Sequence, residues 1–185
     1  MIPRMSETPT ATFGLGDPAP AFTLPDTEGA EHSVPAAEPP PATVLVVTCN
    51  HCPYVVAWNP RLRAVAEDYA PRGVRMLGIH SNDAARHPAD SPESTRRLAR
   101  EQAWPYPFLL DESQEVARAL GAERTPEVFV LDAAQRLAYH GAPDADHQDS
   151  SQNAAWLRAA LDSVLAGEPV ARPQTPARGC SVKWR

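Results

Sequence analysis

The apolar run Thr43-Val44-Leu45-Val46-Val47-Thr48 ends directly on Cys49-Asn50-His51-Cys52-Pro53. This junction constrains the fold more than any other feature of the chain. An unbroken apolar run of this length reads as a strand buried on both faces, the kind found inside α/β sheets. Beyond the cysteines, Val55, Trp58, Leu62, Val65 and Tyr69 recur at spacings of 3, 4, 3 and 4, which predicts an amphipathic helix. Two cysteines separated by two residues can close a small disulfide loop. At a helix start, free N–H groups and the helix dipole stabilise a thiolate.

With 185 residues, 43% of them hydrophobic, the chain predicts one core of ordinary size. A net charge of −6 without a basic block argues against nucleic acid or an anionic membrane as partner. Residues Met1 to Ala21 lack the apolar stretch of a signal peptide. No run approaches the ~18 apolar residues of a membrane span. The expected location is therefore cytoplasmic. Three cysteines do not make a disulfide scaffold, so the pair is expected to be catalytic or metal-binding. Zinc needs four ligands, usually two such pairs, and no second pair exists. No cofactor or metal is expected.

The expected organisation is a disordered leader over 1–14, one α/β domain over 15–167, and an extended tail over 168–185 packing on or near it. Ala21 to Leu24 predicts a strand, with Pro25 to Gly29 turning the chain into a hairpin. Strand 44–48 is followed by the amphipathic helix, with Pro53 in its first turn, Pro60 as an expected kink, and Pro71 and Gly73 ending it. Val74 to Ile79 completes a βαβ unit with a right-handed crossover. Ser91-Pro92-Glu93 starts a helix expected to reach Trp104. Phe108 to Leu110 is a short strand. Asp111 or Ser113 caps a brief helix stopped at Gly121. Strands 128–131 and 137–140 flank a turn at Asp132 to Gln135. The last helix carries Ala154, Leu157, Leu161 and Val164. This order implies a mixed central sheet with helices on both faces and the cysteines at the carboxyl end of a central strand.

Four segments resemble the thioredoxin superfamily, in its redoxin branch: the AhpC/TSA, peroxiredoxin-like and TlpA/ResA-like proteins. They are Gly16 to Leu24, Thr48 to Tyr54, Thr125 to Asp132, and Gly179 to Trp184. The resemblance implies a thioredoxin-like fold with an N-terminal hairpin extension. It makes Cys49 the attacking thiolate, more exposed than Cys52 and with a pKa below the ~8.5 of a free thiol. Cys52 becomes the resolving thiol. His51 is implied as a tuner that makes the couple more oxidising, between about −270 and −120 mV; the other reading is an exposed loop histidine. Thr125-Pro126 is implied to be a cis peptide bond beside the cysteines, with a backbone edge left free to pair with substrate. Glu127 is a candidate proton relay or a solvent-facing carboxylate. Cys180 reads as a third redox thiol reached by tail movement, a buried apolar residue, or a free surface thiol. Thr43 stands where thioredoxin keeps a buried aspartate, and the Trp and Gly-Pro around thioredoxin's cysteines are absent. Asn82-Asp83, after the strand at 74–80, reads as a loop cap or a neighbour of the site, and Trp58 as core rather than substrate surface.

The leading expectation is a thiol–disulfide oxidoreductase in cell redox homeostasis. It would act on protein or small-molecule disulfides and draw on an unidentified thiol electron donor. The alternative is an antioxidant thiol peroxidase using Cys52, which is followed by proline as a peroxidatic cysteine is. There Cys49 replaces the Thr or Ser such enzymes keep three residues earlier. A third reading is a metal-binding module through Cys49 and Cys52.

Overall fold

The computed structural model describes residues 13–185, so the leader expected over 1–14 lies outside the described residues except for Phe13 and Gly14. Strands β1 (Phe22–Pro25) and β2 (Glu31–Val34) form an antiparallel hairpin. The apolar run becomes β3 (Ala42–Thr48), buried along its whole length. There follow α1 (Pro53–Tyr69), β4 (Val74–His80), α2 (Pro92–Glu101), β5 (Phe108–Leu110) and α3 (Glu115–Leu120). The chain continues through β6 (Arg124–Thr125), β7 (Glu127–Leu131), β8 (Leu137–Gly141), α4 (Ala155–Leu165) and β9 (Cys180–Ser181).

The central sheet has the order β5-β4-β3-β7-β8. β3 runs parallel to β4 and antiparallel to β7, so the cysteine-bearing end of β3 lies in the middle of a mixed sheet. Because side chains alternate across a strand, β3 feeds two cores. Val44 and Val46 pack with Leu62, Val65 and Leu161 under α1 and α4. Leu45 and Val47 pack with Leu77, Val116 and Leu120 on the α3 side. Helices therefore cover both faces.

Several expectations are adjusted by local chemistry. α1 runs through Pro60 as one element. Both Pro60 and Val56, whose carbonyl loses its helical partner, are exposed, so water can satisfy the freed group. α2 ends at Glu101 rather than Trp104, because Ala103 adopts a left-handed φ of 45°. Arg63 donates to the carbonyls of Gln102 and Ala103, satisfying acceptors the helix end leaves open. At α3 both expected caps contribute: the Asp111 carboxylate accepts from the Val116 and Ala117 amides, and the Ser113 hydroxyl from Glu115 N–H. β6 and β9, each two residues long, fall below the length at which sequence periodicity says anything. They pair with each other and bring the C-terminal tail to the end of the sheet where the cysteines sit. Among the described residues, no helix is long and apolar enough to cross a membrane.

Candidate active site

Cys52 is the N-cap of α1, Pro53 is its first helical residue, and the Cys52 carbonyl accepts from Val56 N–H at 2.9 Å. Cys49 follows β3 directly. The loop between them is held from the side: Asn50 N–H donates to Asp90 Oδ1 at 2.8 Å, and Asn50 Nδ2 donates to Ala89 O and Thr95 Oγ1. Asp90 Oδ2 in turn accepts from Asn82 Nδ2 at 3.0 Å. This carboxylate fixes the cysteine loop against the segment that leads into α2.

Opposite the cysteines stands Thr125, joined to Pro126 by a cis peptide bond. Cys49 Sγ is 3.5 Å from Thr125 Oγ1. Protonated, Cys52 donates to the Thr125 carbonyl at 3.4 Å. Cys180 Sγ lies 2.8 Å from Cys52 Sγ. All three cysteines are free thiols and line one cavity of about 410 Å³, together with His51, Arg86 and Lys183.

The expectation that Cys49 is the more exposed thiol does not hold. Both cysteines are 6% exposed. The Cys49 pKa is raised, first by the hydrogen bond its thiol donates to Cys52 and then by burial. The Cys52 pKa is lowered to about 4, chiefly by that same Cys49 thiol, with the Cys180 thiol and the Val55 and Cys180 amides adding to it against the opposing effect of burial. Cys180 is raised, by burial first and then by the neighbouring Cys52. The physical cause is positional. Cys52 sits at the helix start where donors converge, whereas Cys49 precedes the helix and lies near the Asp90 carboxylate.

The other candidates divide. His51 is exposed and lines the cavity. Thr125 is buried against the thiols. Pro126 is buried beyond it. Glu127 is buried at 3% exposure, not solvent-facing; it accepts Glu123 N–H at 2.9 Å and lies 3.2 Å from His140 Nε2. It makes no hydrogen bond to a cysteine among the described residues. The backbone edge expected to stay free beside Thr125 is taken: Arg124 and Thr125 pair with Ser181 and Cys180. Trp58 is fully buried, its Nε1 donating to Asp144. Among the described residues no group of three His, Cys, Asp or Glu is arranged to hold a metal.

The Asp90 clamp joins positions 40 residues apart, which no local pattern marks. Its one usable signal was Ser91-Pro92, which marks a helix start adjacent to Asp90 but not what that carboxylate reaches.

A five-stranded mixed sheet with helices on both faces, and a cis-proline loop facing a cysteine pair at a helix start, defines a thioredoxin-like protein. The AhpC/TSA family pattern matches residues 15–140, and the chain belongs to that family. An uncharacterized conserved protein from Geobacillus kaustophilus is similar at 39% identity, covering 94% of each chain with a TM-score of 0.89. Peroxidoxin BcpB from Mycobacterium tuberculosis shares the fold at 21% identity and a TM-score of 0.62, over 84% of this chain and 97% of its own. The thioredoxin domain of a thiol-disulfide oxidoreductase from Bacteroides vulgatus does so at 17% identity and a TM-score of 0.58, over 70% of this chain and 89% of its own. No curated protein matches. Family and fold make the chain an oxidoreductase in the general sense.

Proposed function

We propose that the chain is a thiol–disulfide oxidoreductase whose working dithiol is Cys49 and Cys52, with Cys52 as the attacking sulfur. The observation that carries this reading is the place of Cys52 at the N-cap of α1, with the Cys180 sulfur 2.8 Å away and the neighbouring thiols lowering its pKa. The Cys52 thiolate attacks a substrate disulfide R–S–S–R′, forming Cys52–S–S–R and releasing R′S⁻, which is protonated. The Cys49 thiol then attacks Cys52, giving up its proton to the departing RS⁻. The substrate gains two electrons and two protons, one proton from Cys49 and one from water, and Cys49–Cys52 becomes a disulfide. An external thiol resets it.

His51, on the cavity rim, acts as a tuner of the couple. The substrates are disulfides small enough for a cavity of about 410 Å³, since the tail occupies the edge where an extended polypeptide would add a strand. We place the protein in the cytoplasm, where its donor thiol would be found.

The peroxidase reading shares Cys52 but fits less well. The hydroxyl in the site, Thr125 Oγ1, is 3.5 Å from Cys49, and a thiol occupies position 49.

The test is single-turnover reduction of DTNB, a small aromatic disulfide, by the pre-reduced protein. Cys52→Ser should abolish fast attack, while Cys49→Ser should keep it and lose only its own resolving step. Fast attack that survives in Cys52→Ser overturns the assignment. Stoichiometric peroxide should oxidise Cys52 no faster than an ordinary thiolate, and rapid oxidation would favour the peroxidase.

A further inference from the structure

The tail does not end loosely beside the cavity. Val182 N–H donates to Glu123 O at 2.9 Å, and Lys183 N–H donates to Asn82 Oδ1 at 2.9 Å. The Lys183 carbonyl accepts from Asp83 N–H at 2.8 Å and Gln114 Nε2 at 2.9 Å. Val182 is 3% exposed, and the Arg118 guanidinium sits 4.3 Å over the Trp184 ring. Gly179 makes the approach possible: a Cβ there would lie 2.0 Å from the Thr125 carbonyl oxygen. These contacts surround one residue, Cys180, and set its sulfur against Cys52.

We propose that Cys180 is a second disulfide partner of Cys52, so that one central sulfur is shared between Cys49 on one side and the tail on the other. This rests on the dithiol reading above, because Cys52 must be the sulfur that meets substrate. After Cys52 attacks R–S–S–R′, the mixed disulfide Cys52–S–S–R can be resolved from either side. In the new route the Cys180 thiol attacks Cys52 Sγ, the Cys52–S–R bond breaks, and RS⁻ leaves with the proton that Cys180 gives up. The protein is left oxidised by two electrons as Cys52–Cys180, and the substrate is reduced by the same two. Capture of Cys52 in the mixed disulfide removes the neighbouring thiolate that, after burial, raises the Cys180 pKa in the resting site. The two oxidised forms interconvert without any outside reagent. The Cys180 thiolate attacks Cys52 of Cys49–Cys52, and Cys49 departs and takes up the proton.

The sequence supplies a clean readout, because trypsin places Cys49 and Cys52 together on Met5–Arg61 and Cys180 alone on Gly179–Lys183. Reduced Cys49→Ser protein is treated with one equivalent of diamide, which takes up two electrons and two protons. It is then alkylated and digested without reductant. The result expected is a monomer that has lost both remaining thiols, with the two peptides linked. Thiols that stay alkylatable, or a dimer linked through Cys52, overturn the proposal. Gly179→Val in the same background should lose the link, because the added side chain drives the tail off Thr125; a link that forms regardless shows chance collision and also overturns it. Cys180→Ser with Cys49 intact must still close Cys49–Cys52. Its failure would count against the dithiol reading, whereas failure in Cys49→Ser alone counts against the role of Cys180.

Discussion

Cys49 and Cys52 are equally buried, yet their thiols are pushed in opposite directions. The difference comes from where the helix begins. With Cys52 at the N-cap and Pro53 at N1, the donors at the helix start meet Cys52, and Cys49 becomes a donor to it. Residue type and spacing made the pair visible in the sequence. The polarity within it was not visible, since a shift of one turn in the helix start exchanges the two environments. His51 belongs to the same scale. If its imidazole supports the reduced, thiolate-bearing form, His51→Ala should make the Cys49–Cys52 couple less oxidising by on the order of 30 mV, a tenfold change in the exchange equilibrium. Equilibration against a dithiothreitol redox buffer measures this, and an unchanged potential would remove His51 from the site.

Among the elements, α1 depends on a buried polar anchor at its middle. Asp144 is fully buried and accepts from Trp58 Nε1, Arg61 Nη1 and the Ala154 amide, tying α1 to the start of α4. Truncating one side of such a pair leaves the other charge unpaired in the core. Asp144→Ala should therefore cost about 3–5 kcal/mol in urea unfolding. A loss below about 1 kcal/mol would show that the Arg61 charge finds water instead. Long periodic elements such as β3 and α1 were legible because burial repeats along them. β6 and β9 were not, because a two-residue strand carries no period and its pairing is decided by distant contacts such as Gly179 against Thr125. For the same reason Cys180 was named as a candidate while its place beside Cys52 stayed unread. Asn82 reads as a neighbour of the site or a loop cap, and Asp90 carries no signal of its own beyond the Ser91-Pro92 helix start beside it. Only tertiary packing brings Asp90 to Asn50, and Asn82 to Lys183.

For the molecule as a whole, the sheet end that carries the site also carries an acid-sensitive group. His80, paired with Thr48 in the β3–β4 register, is 7% exposed, and neither ring nitrogen has a hydrogen-bond partner among the described residues. Burial lowers its pKa from 6.5 to about 4. Between those values the unfolded chain binds a proton that the folded chain refuses, so stability falls as pH drops from 6.5 toward 4. The loss at the acid end is about 3 kcal/mol. His80→Leu, which packs against Phe108 without a titrating group, should flatten the pH dependence of the unfolding midpoint across this window. A variant that follows the wild-type curve would place the acid sensitivity elsewhere.

Whether the reactive thiolate rests on Cys52 is read by asking which sulfur ionises first. Fully reduced protein is treated with limiting iodoacetamide across a pH series, and the label is located within Met5–Arg61 by fragmentation. Cys52 should take the label first and still react readily at about pH 5 to 6, where a free thiol of pKa ~8.5 is almost wholly protonated. Label appearing first on Cys49, or a rate that already falls below about pH 8 as an ordinary thiol's does, would contradict it.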